Sequence, residues 1–201
     1  MKNLFLYVCL ILLLGYNIYL IYIKNEFEKD IYVLEQNLLI KNEYLHSISE
    51  LLDQTWSNNR LLINNSLPII DSNGNRKTLK DITKPVLVVR NMESGCNLCI
   101  ENELKILKKY RDLYQSENVI ILSDHDSGRK LKVFKNSNNL DSIQVASCKN
   151  LGLPFEKEFV KPYVFLLDKN NYTSHFFIPE VTRPEVSEKY YKKISKLLNH
   201  Q

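Results

Sequence analysis

The stretch NMESGCNLCIENELKIL, Asn91–Leu107, sets two cysteines two residues apart where a run of strand formers gives way to helix formers. Ahead of it Pro85 introduces KPVLVVRNM, a continuous β-branched apolar run of the kind that a strand buried on both faces carries. Behind it Ile100, Leu104, Leu107 and Leu113 fall along one helix face, with Glu and Lys elsewhere. Cys96-Asn97-Leu98-Cys99 therefore sits at a strand-to-helix junction. Three readings are open there: a redox pair, half of a metal site, or two core thiols.

Outward from this junction the pattern alternates. SLPIIDSNGNRKTLKDI reads as a hairpin turning at Ser72-Asn73-Gly74-Asn75. NVIILSDH is a second buried strand, followed by a helical stretch from about Arg129 to Ser137. KPYVFLLDKNNYTSHFFIPE forms another hairpin, turning at Asp168-Lys169-Asn170-Asn171, and PEVSEKYYKKISKLLNH closes the chain as an amphipathic helix. Such an order predicts an α/β domain over residues 59–201, a three-layer sandwich with a mixed sheet.

The N-terminus has a different character. From Asn3 to Ile23 no side chain is charged, with Lys2 before the run and Lys24 after it. A helix of that length reaches about 30 Å, enough to cross a hydrocarbon core. No small-x-small pattern follows, so residues 1–24 read as an uncleaved transmembrane anchor in preference to a cleaved signal peptide. Cys9, inside the run, reads as an ordinary small membrane residue. A short N-terminal tail on the cytoplasmic side leaves the rest of the chain outside the cytoplasmic (inner) membrane, a periplasmic placement. Residues 25–58 hold neither Pro nor Gly, and Phe27, Ile31, Leu34, Leu38, Leu45, Ile48 and Leu52 recur at alternating steps of four and three, with Lys41 interrupting the seam. This segment reads as a helical stalk, either a coiled coil pairing two copies or a single helix. Across the 201 residues, 27 basic and 23 acidic side chains are scattered without a basic block, which argues against a nucleic-acid partner.

The start of a helix offers unpaired N–H groups and the positive end of the dipole, both of which favour a thiolate. Cys96 would be the exposed attacking thiol and Cys99, one turn in, the thiol that resolves a mixed disulfide. A zinc site needs two more ligands, and Cys148, His46, His125, His175 and His200 show no paired metal spacing. Cys148 reads as a small, partly buried residue in preference to a third redox partner, and His125, at a strand's end, as a residue of a solvated loop in preference to one at the edge of the site. No motif calls for a cofactor.

The strand-CxxC-helix unit, followed by a strand, a helix, a hairpin and a last helix, resembles the thioredoxin fold. LPIIDSNGNRKTLKDITKPVLVVRN, upstream, looks like the leading hairpin and first core strand of membrane-tethered thioredoxin-like proteins of the TlpA/ResA and alkyl-hydroperoxide-reductase-like superfamily. The resemblance spans roughly Leu67 to Leu198. It implies a thiol:disulfide oxidoreductase acting on protein thiols or disulfides together with a redox partner, with Cys96 the nucleophile, Cys99 the resolving thiol and Pro162 a cis-proline facing them. The chain departs from that pattern in having Gly95 where thioredoxins usually carry an aromatic and Asn97-Leu98 where they carry Gly-Pro. Glu93 stands where the peroxide-reducing branch needs Thr or Ser, which disfavours peroxidase chemistry. Copper delivery of the Sco type, whose cysteines are three residues apart, and a non-catalytic anchored scaffold are the competing functions.

Overall fold

The computed structural model describes residues 2–114, 118–158 and 160–199, leaving out the side chains of residues 2–6, 8, 111 and 158. It divides into two compact units, Met1–Glu50 and Leu51–Gln201.

The described residues of the first unit are all helical. Helix α1 (Lys2–Ser57) runs unbroken through the segments expected as anchor and stalk, as a stretch without proline allows. Within the apolar run Asn17 directs its amide to the Leu13 carbonyl at 2.8 Å, so its polar group is satisfied inside the helix. Among the described residues, however, no helix is long and apolar enough to cross a membrane. From Cys9 onward Gly15, Tyr16 and Asn17 interrupt the run and Lys24, Asn25 and Glu26 end it, while the side chains of residues 3–6 and 8, which begin the expected span, lie outside the described ones. Phe27, Ile31, Leu34, Leu38 and Leu45 of the heptad stripe are exposed on the single chain.

In the second unit the strands are β1 (Pro68–Asp71), β2 (Arg76–Thr78), β3 (Val86–Asn91), β4 (Val119–Ser123), β5 (Gln144–Ser147), β6 (Tyr163–Leu167) and β7 (Thr173–Phe177). They form one mixed sheet in the order β2-β1-β5-β4-β3-β6-β7. β3 and β4 run parallel, as do β4 and β5, whereas β6 lies antiparallel to β3. The helices are α2 (Asn97–Lys109), α3 (Gly128–Ser137), α4 (Pro154–Glu158) and α5 (Pro184–Asn199).

Successive residues of a strand point to opposite faces, and β3 shows the consequence. Leu87 and Val89 join a core with Leu104 and Leu107 of α2, Leu131 of α3, and Tyr191 and Ile194 of α5. Val86 and Val88 join a second core with Leu79, Cys148, Phe155 of α4, Phe165 and Phe176. The sheet is thus covered on both sides, and the expected α/β three-layer arrangement is present.

Two elements escape the sequence pattern. β5 has only four residues, and α4 is a five-residue helix opened by Pro154, too short to establish a period. Leu113 does not continue the α2 face. The helix stops at Lys109, a 3-10 turn follows over Arg111–Leu113, Leu113 is exposed, and Tyr110 and Tyr114 fill the core instead. The Asn-rich break after α1 is itself structural: Asn58 Oδ1 accepts the Phe155 N–H at 3.1 Å, and Asn59 Oδ1 accepts the Phe176 N–H at 3.0 Å.

Candidate functional site

β3 ends inside the sheet, and the chain must turn before α2 can begin. The turn is Met92–Gly95, closed by the Gly95 N–H donating to the Met92 carbonyl at 2.8 Å. Cys96 follows in extended conformation as the N-cap of α2, where its sulfur accepts the Cys99 N–H at 3.2 Å. A cap residue of this kind leaves the helix's first N–H groups directed at its side chain. Cys96 and Cys99 are joined in a disulfide with Cα atoms 5.2 Å apart. Cys96 is exposed, Cys99 half-buried, and Leu98 between them is exposed.

Gly95 has no room for a side chain. A Cβ there would lie 2.7 Å from the Val160 carbonyl oxygen and 2.9 Å from that of Met92. The segment leading into β6 therefore passes directly against the cysteine loop, and this contact excludes the aromatic that thioredoxins carry at the corresponding place. Pro162 is buried and stands just before β6, whose Tyr163 pairs with Arg90 of β3. The expectation of a cis bond is corrected: among the described residues every peptide bond is trans, Lys161–Pro162 included. A proline at the start of a strand lacks only an N–H that the ladder does not use, so its place in the fold requires no cis bond.

At the end of β3 lies a polar cluster that the sequence did not announce. Arg90 is fully buried and donates from Nε to Glu156 Oε1 at 2.7 Å, from Nη1 to the Cys148 carbonyl at 2.6 Å, and from Nη2 to the Lys149 carbonyl at 2.9 Å. Glu156 also accepts the Tyr163 hydroxyl at 2.8 Å and the Leu151 N–H at 2.7 Å. Burial by itself would weaken Arg90 as a cation, but the Glu156 carboxylate holds its pKa above the ordinary arginine value. Arg90 is a charge within an otherwise apolar strand, and its buried partner is 66 residues away.

Glu103, one turn beyond Cys99 in α2, is also buried, and burial pushes its carboxyl pKa up. The Ser187 hydroxyl donates to it at 2.9 Å, which ties α2 to α5. Cys148 is buried more completely than its sequence suggested, and burial raises its thiol pKa. His125 is half-buried, bonded through Nδ1 to the Ser123 hydroxyl with its ring 5.4 Å from that of Phe134, and so is not a solvated loop residue. His200 lies outside the described residues. Among those described, no three His, Cys, Asp or Glu side chains gather as metal ligands.

No family model and no curated protein matches the sequence. Solved structures match its fold. "Solution structure of a putative protein disulfide isomerase from Bacteroides thetaiotaomicron" matches at a TM-score of 0.51 and 14% identity, over 71% of this chain and 94% of that one. A PrxQ mutant of Xylella fastidiosa matches at a TM-score of 0.50 and 16% identity, over 70% of this chain and 96% of the other. At these identities the likeness is one of fold, and the fold is thioredoxin-like.

Proposed function

We propose that the chain is a membrane-anchored thiol:disulfide oxidoreductase that acts on protein thiols or disulfides through Cys96 and Cys99. The observation that carries this reading is the exposed Cys96 sulfur at the N-cap of α2, disulfide-bonded to a half-buried Cys99. In the reduced protein a thiolate at Cys96 receives the helix's first N–H groups and attacks a substrate disulfide. The Cys96 sulfur bonds to one substrate sulfur and the other leaves as thiolate. Cys99 then attacks Cys96, closing the internal disulfide and releasing the second substrate thiol, so two electrons pass to the substrate. The reverse sequence oxidises a dithiol. Pro162, buried beside the Val160 segment that meets the loop, is proposed to align substrate backbone at the disulfide.

The uncharged run Asn3–Ile23 supports an anchor in the cytoplasmic (inner) membrane, with the thioredoxin-like domain on its outer face. The exposed heptad stripe supports pairing of two copies through the stalk. Sedimentation of the full chain in detergent is expected to give a dimer, and a monomer at micromolar concentration would remove that part of the reading.

A Cys99→Ser chain tests the chemistry. It is expected to hold substrate proteins as mixed disulfides on Cys96, released by dithiothreitol and recovered in membranes washed with carbonate. If no such adducts form, and reduced unsubstituted chain does not reduce insulin, the disulfide is a structural link in a binding scaffold. Adducts found only in the wash would refute the anchor and leave the chemistry standing.

A further inference from the structure

The turn that carries Cys96 is held from outside its own element. The Glu93 N–H, in the middle of Met92–Gly95, donates to Oδ1 of Asp124, 31 residues later in the loop after β4. The Glu93 carboxylate is held as well, by Lys130 Nζ in the first turn of α3 at 2.8 Å. Lys130 in turn reaches Asp126 at 3.2 Å. Main chain and side chain of the residue three positions before Cys96 are therefore both braced against the β4–α3 loop.

In the oxidised protein the disulfide itself fixes the Cys96 sulfur. Once it opens, the sulfur stays over the Cys99 N–H only as far as the turn keeps it there. Helix-end stabilisation fades within the first turn, and a hydrogen bond weakens steeply as its angle opens.

We propose that Asp124 is a positioning residue for Cys96: by accepting the Glu93 N–H it holds the Met92–Gly95 turn so that the thiolate of the reduced protein remains aligned with the start of α2. This rests on the reading of Cys96 as the attacking thiol. The charge of Asp124 acts in the opposite sense from its bond, because a nearby carboxylate disfavours a thiolate. Asn at this position removes the charge and keeps an acceptor; Ala removes both. The charged groups that meet at the turn, Glu93, Lys130 and Asp126, and the neighbouring imidazole of His125 are the same in both variants.

The test is the rate at which iodoacetamide modifies Cys96 in the reduced full chain, followed by mass spectrometry of its peptide between pH 5 and 9. Asp124→Ala is expected to react roughly two- to fivefold more slowly than Asp124→Asn near neutral pH, the size of one helix-end interaction, with its midpoint at higher pH. Asp124→Asn is expected to equal or exceed the unsubstituted chain, a comparison that stands if the Ala variant does not fold. Equal rates in the two variants, or an Asn variant slower than the unsubstituted chain, overturn the proposal. Alkylation reads the surroundings of the sulfur whether or not the chain turns over insulin, so failure here is distinct from failure of the oxidoreductase reading.

Discussion

Replacing Cys96 with Ser is expected to lower reduction of insulin disulfides to the uncatalysed level, while Cys99→Ser loses turnover but keeps the first attack. The asymmetry follows from position. Cys96 is the exposed residue at the helix cap, and Cys99 lies one turn in, with its N–H directed at the Cys96 sulfur. A serine hydroxyl at the cap still accepts that N–H, so the helix start survives and the loss is of the thiol alone. Melting of Cys96→Ser, compared with the reduced unsubstituted chain, is expected to change little. Adducts formed by Cys96→Ser through Cys99 would invert the two roles, and turnover by Cys96→Ser would place the chemistry elsewhere.

Glu156→Ala is expected to be the most destabilising single substitution among the polar residues near the site. The Arg90 and Glu156 side chains are 0% and 2% exposed, so the variant leaves a guanidinium charge out of water without its counter-charge. Breaking a buried pair in this way costs about 3–5 kcal/mol, set against a total stability of roughly 5–15 kcal/mol for a domain. The Tyr163 hydroxyl and the Leu151 N–H lose their acceptor at the same time. The expected fall in melting temperature is on the order of 10 °C, at about 2–4 °C per kcal/mol for a chain of this size. Replacing both partners, Arg90→Met with Glu156→Leu, is expected to recover part of the loss, because no unpaired charge remains. A Glu156→Ala chain that melts within about 2 °C of the unsubstituted one would contradict the role assigned to the pair.

The same cluster supports the site. Arg90 is the residue before the end of β3, and Tyr163 follows Pro162, so the Glu156 carboxylate links the strand that delivers the cysteine loop to the strand whose approach faces it. An ion pair at this place ties down two backbone carbonyls of the β5–α4 connection, at Cys148 and Lys149, and supplies the buried Cys148 carbonyl with the polar partner it needs.

Much of the domain was legible because its signals are local. β3 announces itself by an unbroken β-branched run, α2 and α5 by apolar residues at helical spacing, and the Ser72–Asn75 turn by Asn-Gly, whose Gly74 has positive φ. The place of the cysteine pair follows from those two periods alone, since a disulfide can close across the first turn of any helix that starts there. β5 and α4 were not legible, because β5 sets only Val145 and Ala146 between the polar Gln144 and Ser147, and the five residues of α4 are too few to show a helical period. Leu113 was misplaced because an apolar residue at the right interval cannot reveal that the helix stops four residues earlier.

By itself, then, the sequence determined the order of elements, the strand-to-helix setting of Cys96 and Cys99, and the uncharged first segment, all properties of neighbours along the chain. Only the tertiary structure decided that Val160 closes on Gly95, that Glu156 neutralises Arg90, that Asp124 and Lys130 brace Glu93, and that Pro162 stands trans. Each of these joins residues brought together by sheet pairing across long loops, except the last, which is a choice between two isomers separated by only about 0.5–1 kcal/mol. Contacts of the first kind depend on how the whole sheet closes, and an energy difference of the second size is set by surroundings that a linear pattern does not contain.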